Sequence, residues 1–161
     1  TVTTPEGDRY VMAAVRGAVG QAPLGGLARP PAGRGYAHVD YVLTNPHRRP
    51  VLLDFPPNAF LRRAVVPPEF AERCVFREGA PEEVCDVPGR TRLIGRLPGS
   101  ADLVRQDADL FLAPRSSYLV RTVAEAPVPD SAGQRDVGLF VWQVRFTRDR
   151  LARRVPFPGE A

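Results

Sequence analysis

His38 and Asp40 are the first side chains in this sequence that could do chemistry together. They stand two apart in YAHVDYVLTN, residues 36–45, so in an extended segment both fall on one face of a sheet. A serine or threonine hydroxyl from a neighbouring strand would complete a nucleophile–base–acid set, which is defined by geometry rather than chain order. The rest of the chain gives hydrolysis little support. It has no G-x-S-x-G elbow, and Ser116-Ser117 stands in an ordinary turn context. Asp102, Asp107 and Asp109 space their carboxylates as D-x-x-x-x-D-x-D, without the glycine and closing glutamate of a calcium loop. They read as a solvated loop or the charged start of a helix, and Glu82, Glu83 and Asp86 read as a solvated loop as well. The glycine-rich stretches PLGGL and PAGRG lack the Gly-Lys-Ser/Thr of a phosphate cradle. No catalytic, cofactor-binding or metal-ligating residue is assigned.

Cys74 and Cys85 are the only cysteines, flanking FREGAPEEV. Phe70, Cys74 and Phe76 share one parity, which predicts a strand with Cys74 facing inward. Gly79-Ala80-Pro81 is a turn that can fold Cys85 back beside it. The favoured reading is a disulfide formed in an oxidising compartment. Two free thiols in a cytosolic protein are the main alternative. Half of a zinc site is another, although zinc needs about four ligands at short spacings and the only histidines are His38 and His47.

All 22 basic residues are arginines, and the net charge is +4. This balance is compatible with an anionic partner. The arginines, however, are dispersed among acids rather than gathered in one block, which reads as a solvated surface. Binding of single-stranded nucleic acid calls for aromatics interleaved with arginines on an exposed face, and Tyr36 and His38 are too few. No run approaches the roughly 18 apolar residues of a membrane span. The opening TVTTPEGD is polar, unlike a secretion leader.

The elements that must position these residues are strands. The 161 residues fit one domain, 1–161, with a core over about 8–148 and a C-terminal tail over 149–161 that carries charge but no pattern. The 18 prolines are spread along the whole chain and leave few windows for a long helix. Period-two alternation predicts strands over 10–17, 36–45, 51–55, 60–66, 70–77, 92–97, 117–124 and 137–148. In the last of these, Phe140, Trp142, Val144 and Phe146 form one stripe, expected at the heart of the core. Residues 23–35 read as a long, mobile Pro/Gly loop. Over 100–112 a helix competes, with Ser100 as its cap and Leu103, Val104, Leu110 and Phe111 at roughly helical spacing. The pattern predicts an all-β chain: an antiparallel immunoglobulin-like sandwich of about seven or eight strands with at most one short helix. The antibody spacing of cysteines around a central Trp is missing.

VDYVLTNPHRRPVLLDF, followed by LFLAP and YLVRTV, resembles the immunoglobulin-like domains of unknown function found in exported bacterial lipoproteins and membrane-anchored proteins. The resemblance spans about residues 8–147. Where those domains carry Gly-Glu after the proline, this chain has Arg115-Ser116. The resemblance implies an extracytoplasmic cell-envelope domain that acts by binding, and it carries over no catalytic residue.

The sequence therefore predicts a non-enzymatic binding module without a cofactor, its partner a protein, an envelope polymer or an anionic surface. Loops at one end of a sandwich are the natural contact elements. The two favoured ones are 23–35, with Leu24, Arg29 and Arg34, and the cysteine hairpin 74–85, with Arg77, Glu78, Glu82 and Glu83. The competing readings are a small hydrolase or ligand-binding accessory domain built on His38 and Asp40, and a cytosolic basic protein touching nucleic acid.

Overall fold

The computed structural model describes residues 1–143 and 145–160. Its strands are β1 (Val2–Thr3), β2 (Arg9–Gly20), β3 (Arg34–Thr44), β4 (Val51–Leu52), β5 (Pro57–Arg62), β6 (Val84–Asp86) and β7 (Gly89–Arg96). They continue with β8 (Val104–Gln106), β9 (Asp109–Leu112), β10 (Ser117–Ala124), β11 (Val128–Pro129), β12 (Val137–Val141) and β13 (Arg153–Val155). Among the described residues the only helical segments are short 3-10 turns at Arg63–Val65, Pro68–Arg73 and Gln134–Asp136. The chain is all-β, and every strand pairing is antiparallel.

One sheet runs β1-β2-β3-β10-β7 with β11 added to β3; a second runs β13-β12-β5-β6; a third, smaller one runs β4-β9-β8. The first two face each other across the main core. Tyr10, Met12 and Ala14 of β2, alternate residues from Ala37 to Leu43 of β3, and Tyr118 and Val120 of β10 meet Ala59, Leu61, Val137, Leu139 and Val141 there. The alternation read from YAHVDYVLTN thus holds, with the odd-numbered residues inward. The other face of β3 is buried too, because Leu24 and Leu27 from the 21–33 connection pack on Tyr36 and Val123. That connection is tied down: Arg121 Nη1 donates to Pro23 O at 3.0 Å and Tyr36 Oη to Ala28 O at 2.7 Å. The expected mobile loop is a packed cover.

Four other expectations are corrected. Residues 70–77 are not a strand: Pro68–Arg73 winds as a 3-10 turn and Val75 makes a single bridge to Asp86. Phe70 and Cys74 are four apart, a spacing that suits one helical turn as well as alternation, and the leading Pro68 favours the turn. Residues 100–112 hold no helix; 104–112 are a hairpin, β8 and β9, closed by Asp107 and Ala108. Asp107 takes φ 56° there, a left-handed conformation that a short polar side chain tolerates. The aromatic stripe does not form either. β12 turns its odd residues inward, so Phe140 stacks on Phe60 (centroids 4.6 Å apart) across the outer face, with half-buried Trp142 beside them. Phe146 reaches the main core from a turn, and Val144 lies outside the described residues. Nor is 149–161 a bare tail, since β13 pairs with β12 and Phe157 is buried.

Candidate functional site

His38 and Asp40 do share a face, but their partners are not those of a catalytic set. β10 places Arg121 directly opposite Asp40. The guanidinium grips the carboxylate with both prongs, Nε to Oδ1 at 2.7 Å and Nη2 to Oδ2 at 2.9 Å, the strong geometry for this pair. A second arginine arrives through a bulge in β2. The register skips Val15 between Ala14 and Arg16, so Arg16 instead of Val15 faces Asp40 and donates from Nε at 3.3 Å. Burial alone would raise the Asp40 carboxyl; the Arg121 hydrogen bond and charge, joined by Arg16, outweigh it and hold the group below its ordinary range. His38 is buried with its Nδ1 3.4 Å from the Tyr36 carbonyl, and burial lowers its pKa against that contact. Among the described residues no serine or threonine hydroxyl hydrogen-bonds His38. This face is a structural ion pair under a loop. Asp102 pairs with Arg96, and Asp107 and Asp109 belong to the β8–β9 hairpin.

The cysteine loop is more open. Cys74 and Cys85 sulfurs stand 2.02 Å apart, at bonding distance, with Cys85 in the main core and Cys74 against it. The loop between them is fixed at both sides. Arg63 donates from its backbone to Glu83 O and from Nε to Glu82 O, and Ala152 N donates to Glu78 O at 2.6 Å. Gly79, at φ +93°, sits so close to Ala152 that an added Cβ would lie 2.6 Å from its nitrogen. The loop is therefore rigidly presented, and its outward side chains include apolar ones beside the exposed Glu78, Glu82 and Glu83. Phe76 is 46% and Val75 37% exposed, and Leu151, against Gly79, is 37% exposed. Phe76 stands between two shallow depressions, one shared with Arg63 and Glu82, the other with Arg77, Glu78, Trp142 and Arg150.

The Arg77 guanidinium lies 3.8 Å from the Trp142 ring centroid and donates from Nε to Asp86 Oδ2 at 3.0 Å. Behind this stack a cleft of about 260 Å³ opens between β5–β6 and β7–β10, lined by Asn58, Asp86, Thr91 and Thr122 as well. Asp86 is buried, its Oδ1 has no hydrogen-bond partner among the described residues, and burial raises its carboxyl against the opposing Arg77 bond and charge. Asn58, oriented to satisfy both ends of its amide, accepts from Trp142 Nε1 at 2.8 Å.

Of the residues expected at contact loops, Arg77, Glu78 and Glu82 thus line the depressions around Phe76, while Glu83 anchors the loop base through its carbonyl. Leu24 is buried under the 21–33 cover. Arg29 lines a separate cleft with Phe70, Arg73 and Arg90, and Arg34 pairs with Glu69. Sequence reasoning missed Trp142, Asn58, Thr91 and Thr122, because they come from four separate segments with no shared motif. Among the described residues no group of three or more His, Cys, Asp or Glu side chains converges as a metal set, and no helix is long and apolar enough to cross a membrane. No protein-family model, curated protein or solved structure matches this chain.

Proposed function

We propose that this chain is an immunoglobulin-like sandwich module of the bacterial cell envelope that acts by binding, without catalysis, through the surface of its 74–85 loop. The observation that carries this reading is the gathering of Val75, Phe76 and Leu151 on and against one cross-linked loop. Exposed apolar groups that cluster, rimmed by charge, mark contact sites more than singly scattered ones do. A rigid presenting loop also lowers the entropy lost on binding. The cysteine pair supports an oxidising, extracytoplasmic setting. The sandwich assignment gains support from Tyr118 at the start of β10, whose hydroxyl donates to Ala101 O at 2.7 Å and accepts from Ala113 N at 3.0 Å. Immunoglobulin-like sandwiches use a tyrosine corner of this kind.

The test is co-sedimentation of the purified protein with isolated cell-wall and membrane fractions. Wild type is retained, Phe76→Asp is not, and Ile94→Asp, at a 40% exposed site on β7, behaves as wild type. Absence of wild-type retention, or retention unaffected by Phe76→Asp, refutes the reading.

A further inference from the structure

Beside the cover over the large sheet, residues 26–31 and the Pro68–Arg73 turn wall a second cleft of about 450 Å³. Three arginines, Arg29, Arg73 and Arg90, and one acid, Glu125, line it. Glu125 takes up one charge: Arg90 pairs with its carboxylate, while Arg73 Nη1 donates to its backbone carbonyl at 2.9 Å. Arg29 is exposed on the cover and forms no side-chain hydrogen bond or ion pair among the described residues. Glu69 is engaged by Arg34, and Glu72 stands on the same turn outside the lining. The lining therefore carries two positive charges in excess.

Both walls are held in place. The turn runs into Cys74, bonded to Cys85, and the Arg34–Glu69 pair ties it to β3. The opposite wall is pinned where Tyr36 Oη donates to Ala28 O at 2.7 Å. Gly26 takes φ +83°, and a Cβ there would lie 2.6 Å from Arg90 Nη1, so the glycine lets that guanidinium reach across to the cover. All three arginines are open to solvent, since the Arg90 side chain is 41% exposed and Arg29 and Arg73 are exposed as well. Apolar surface lies among them. The Arg73 guanidinium stands 5.3 Å from the centroid of half-buried Phe70, and half-buried Leu27 joins it in the lining.

These groups select a ligand class. The excess charge repels a cation, and a neutral ligand leaves it unmatched. An anion gains charge-assisted hydrogen bonds from the guanidinium forks, whose geometry fits phosphate and carboxylate oxygens. Charge separates those two. A carboxylate brings one negative charge, whereas a phosphate monoester carries about −1.5 to −2 at neutral pH and matches the excess. The volume falls within the ~300–1,000 Å³ of small-molecule sites, which leaves room for a ring or short chain beside the phosphate. We propose that this cleft binds a small phosphate monoester, its phosphate held by Arg29, Arg73 and Arg90 and its organic part resting on Phe70 and Leu27. Val75, Phe76 and Leu151 do not line the cleft, so the inference goes beyond the loop surface and stands independently of it.

The experiment titrates the isotope-labelled protein, near neutral pH and at low salt, with phenyl phosphate and in parallel with inorganic phosphate and benzoate, following amide chemical shifts. Phenyl phosphate gives saturable shifts at Gly26, Leu27 and Glu125, with half-saturation on the order of 0.1–1 mM. Inorganic phosphate lacks the ring and benzoate lacks the second charge, so each binds about tenfold more weakly or worse. Arg29→Gln and Arg90→Gln each weaken phenyl phosphate about tenfold. Arg105→Gln, the same charge change at an exposed site on β8 outside the cleft, stays within about twofold of wild type. Arg29 is exposed and holds no described partner, so Arg29→Gln decides the matter if Arg90→Gln does not fold. Shifts that do not saturate by about 10 mM, equal affinity for inorganic phosphate or benzoate, or wild-type affinity in Arg29→Gln overturns the proposal.

Discussion

Replacing Arg121 by methionine tests how the outer face of the large sheet is held together. The Asp40 side chain is 3% exposed, and Arg121 is its principal partner, itself 20% exposed. Arg16 is 62% exposed and 3.3 Å away, a geometry worth at most about 1 kcal/mol. In Arg121→Met the buried carboxylate keeps only that weak partner, and the expected loss is about 3–5 kcal/mol. The control Arg16→Met should lose about 1 kcal/mol or less. Replacing both ends, as Asp40→Leu with Arg121→Met, removes the stranded charge, so the double variant should recover most of what Arg121→Met loses. pH adds an independent arm. The folded-state pKa of Asp40 is depressed, so the pair's contribution is full above the unfolded carboxyl value of about 3.9 and is lost as pH falls through the lower folded value. In Arg121→Met burial, the largest influence on this carboxyl, is opposed chiefly by the weak Arg16 contact, so the pKa moves above the unfolded value and that variant gains stability on acidification. The gap between wild type and Arg121→Met should be widest near neutral pH and narrow toward about pH 3. Urea unfolding followed by far-ultraviolet circular dichroism measures both. A loss below about 1 kcal/mol for Arg121→Met at neutral pH, or a gap that does not change with pH, refutes the reasoning.

Three further outcomes are expected. The Cys74→Ala/Cys85→Ala double variant opens a loop whose ends are 11 residues apart, which in the chain-entropy model costs about 3 kcal/mol; denaturant melts of oxidised wild type against the variant read it. Gly79→Ala forces an L-residue to φ +93° with its Cβ against Ala152, so a loss of at least about 1–2 kcal/mol should appear in the same melts, with faster proteolytic nicking of the 74–85 loop. Tyr118→Phe removes the hydroxyl between Ala101 O and Ala113 N and should cost about 1–3 kcal/mol, with amide exchange accelerated at Ala113.

The sequence by itself determined the all-β class, through prolines that leave few windows for a long helix and through the alternation of β3, in which Ala37, Val39, Tyr41 and Leu43 face the core. It also brought the 74–85 loop forward, since two cysteines 11 residues apart around a Gly-Ala-Pro turn have few ways to meet. The tertiary structure decided which face of β12 is inward, that residues 104–112 form a hairpin, and that His38 and Asp40 lie under a cover beside two arginines. Local patterns failed there for identifiable reasons. A strand covered on both faces loses the contrast that reveals its orientation, as with Phe140 on the outside and Leu139 within. A spacing of four, as between Phe70 and Cys74, satisfies strand and helical turn alike. The bulge at Val15, which delivers Arg16 to Asp40, is a property of paired strands and leaves no mark on one of them. The cleft itself joins Asn58, Arg77, Asp86, Thr91, Thr122 and Trp142, side chains from distant segments whose meeting depends on long-range strand pairing, which no local spacing encodes.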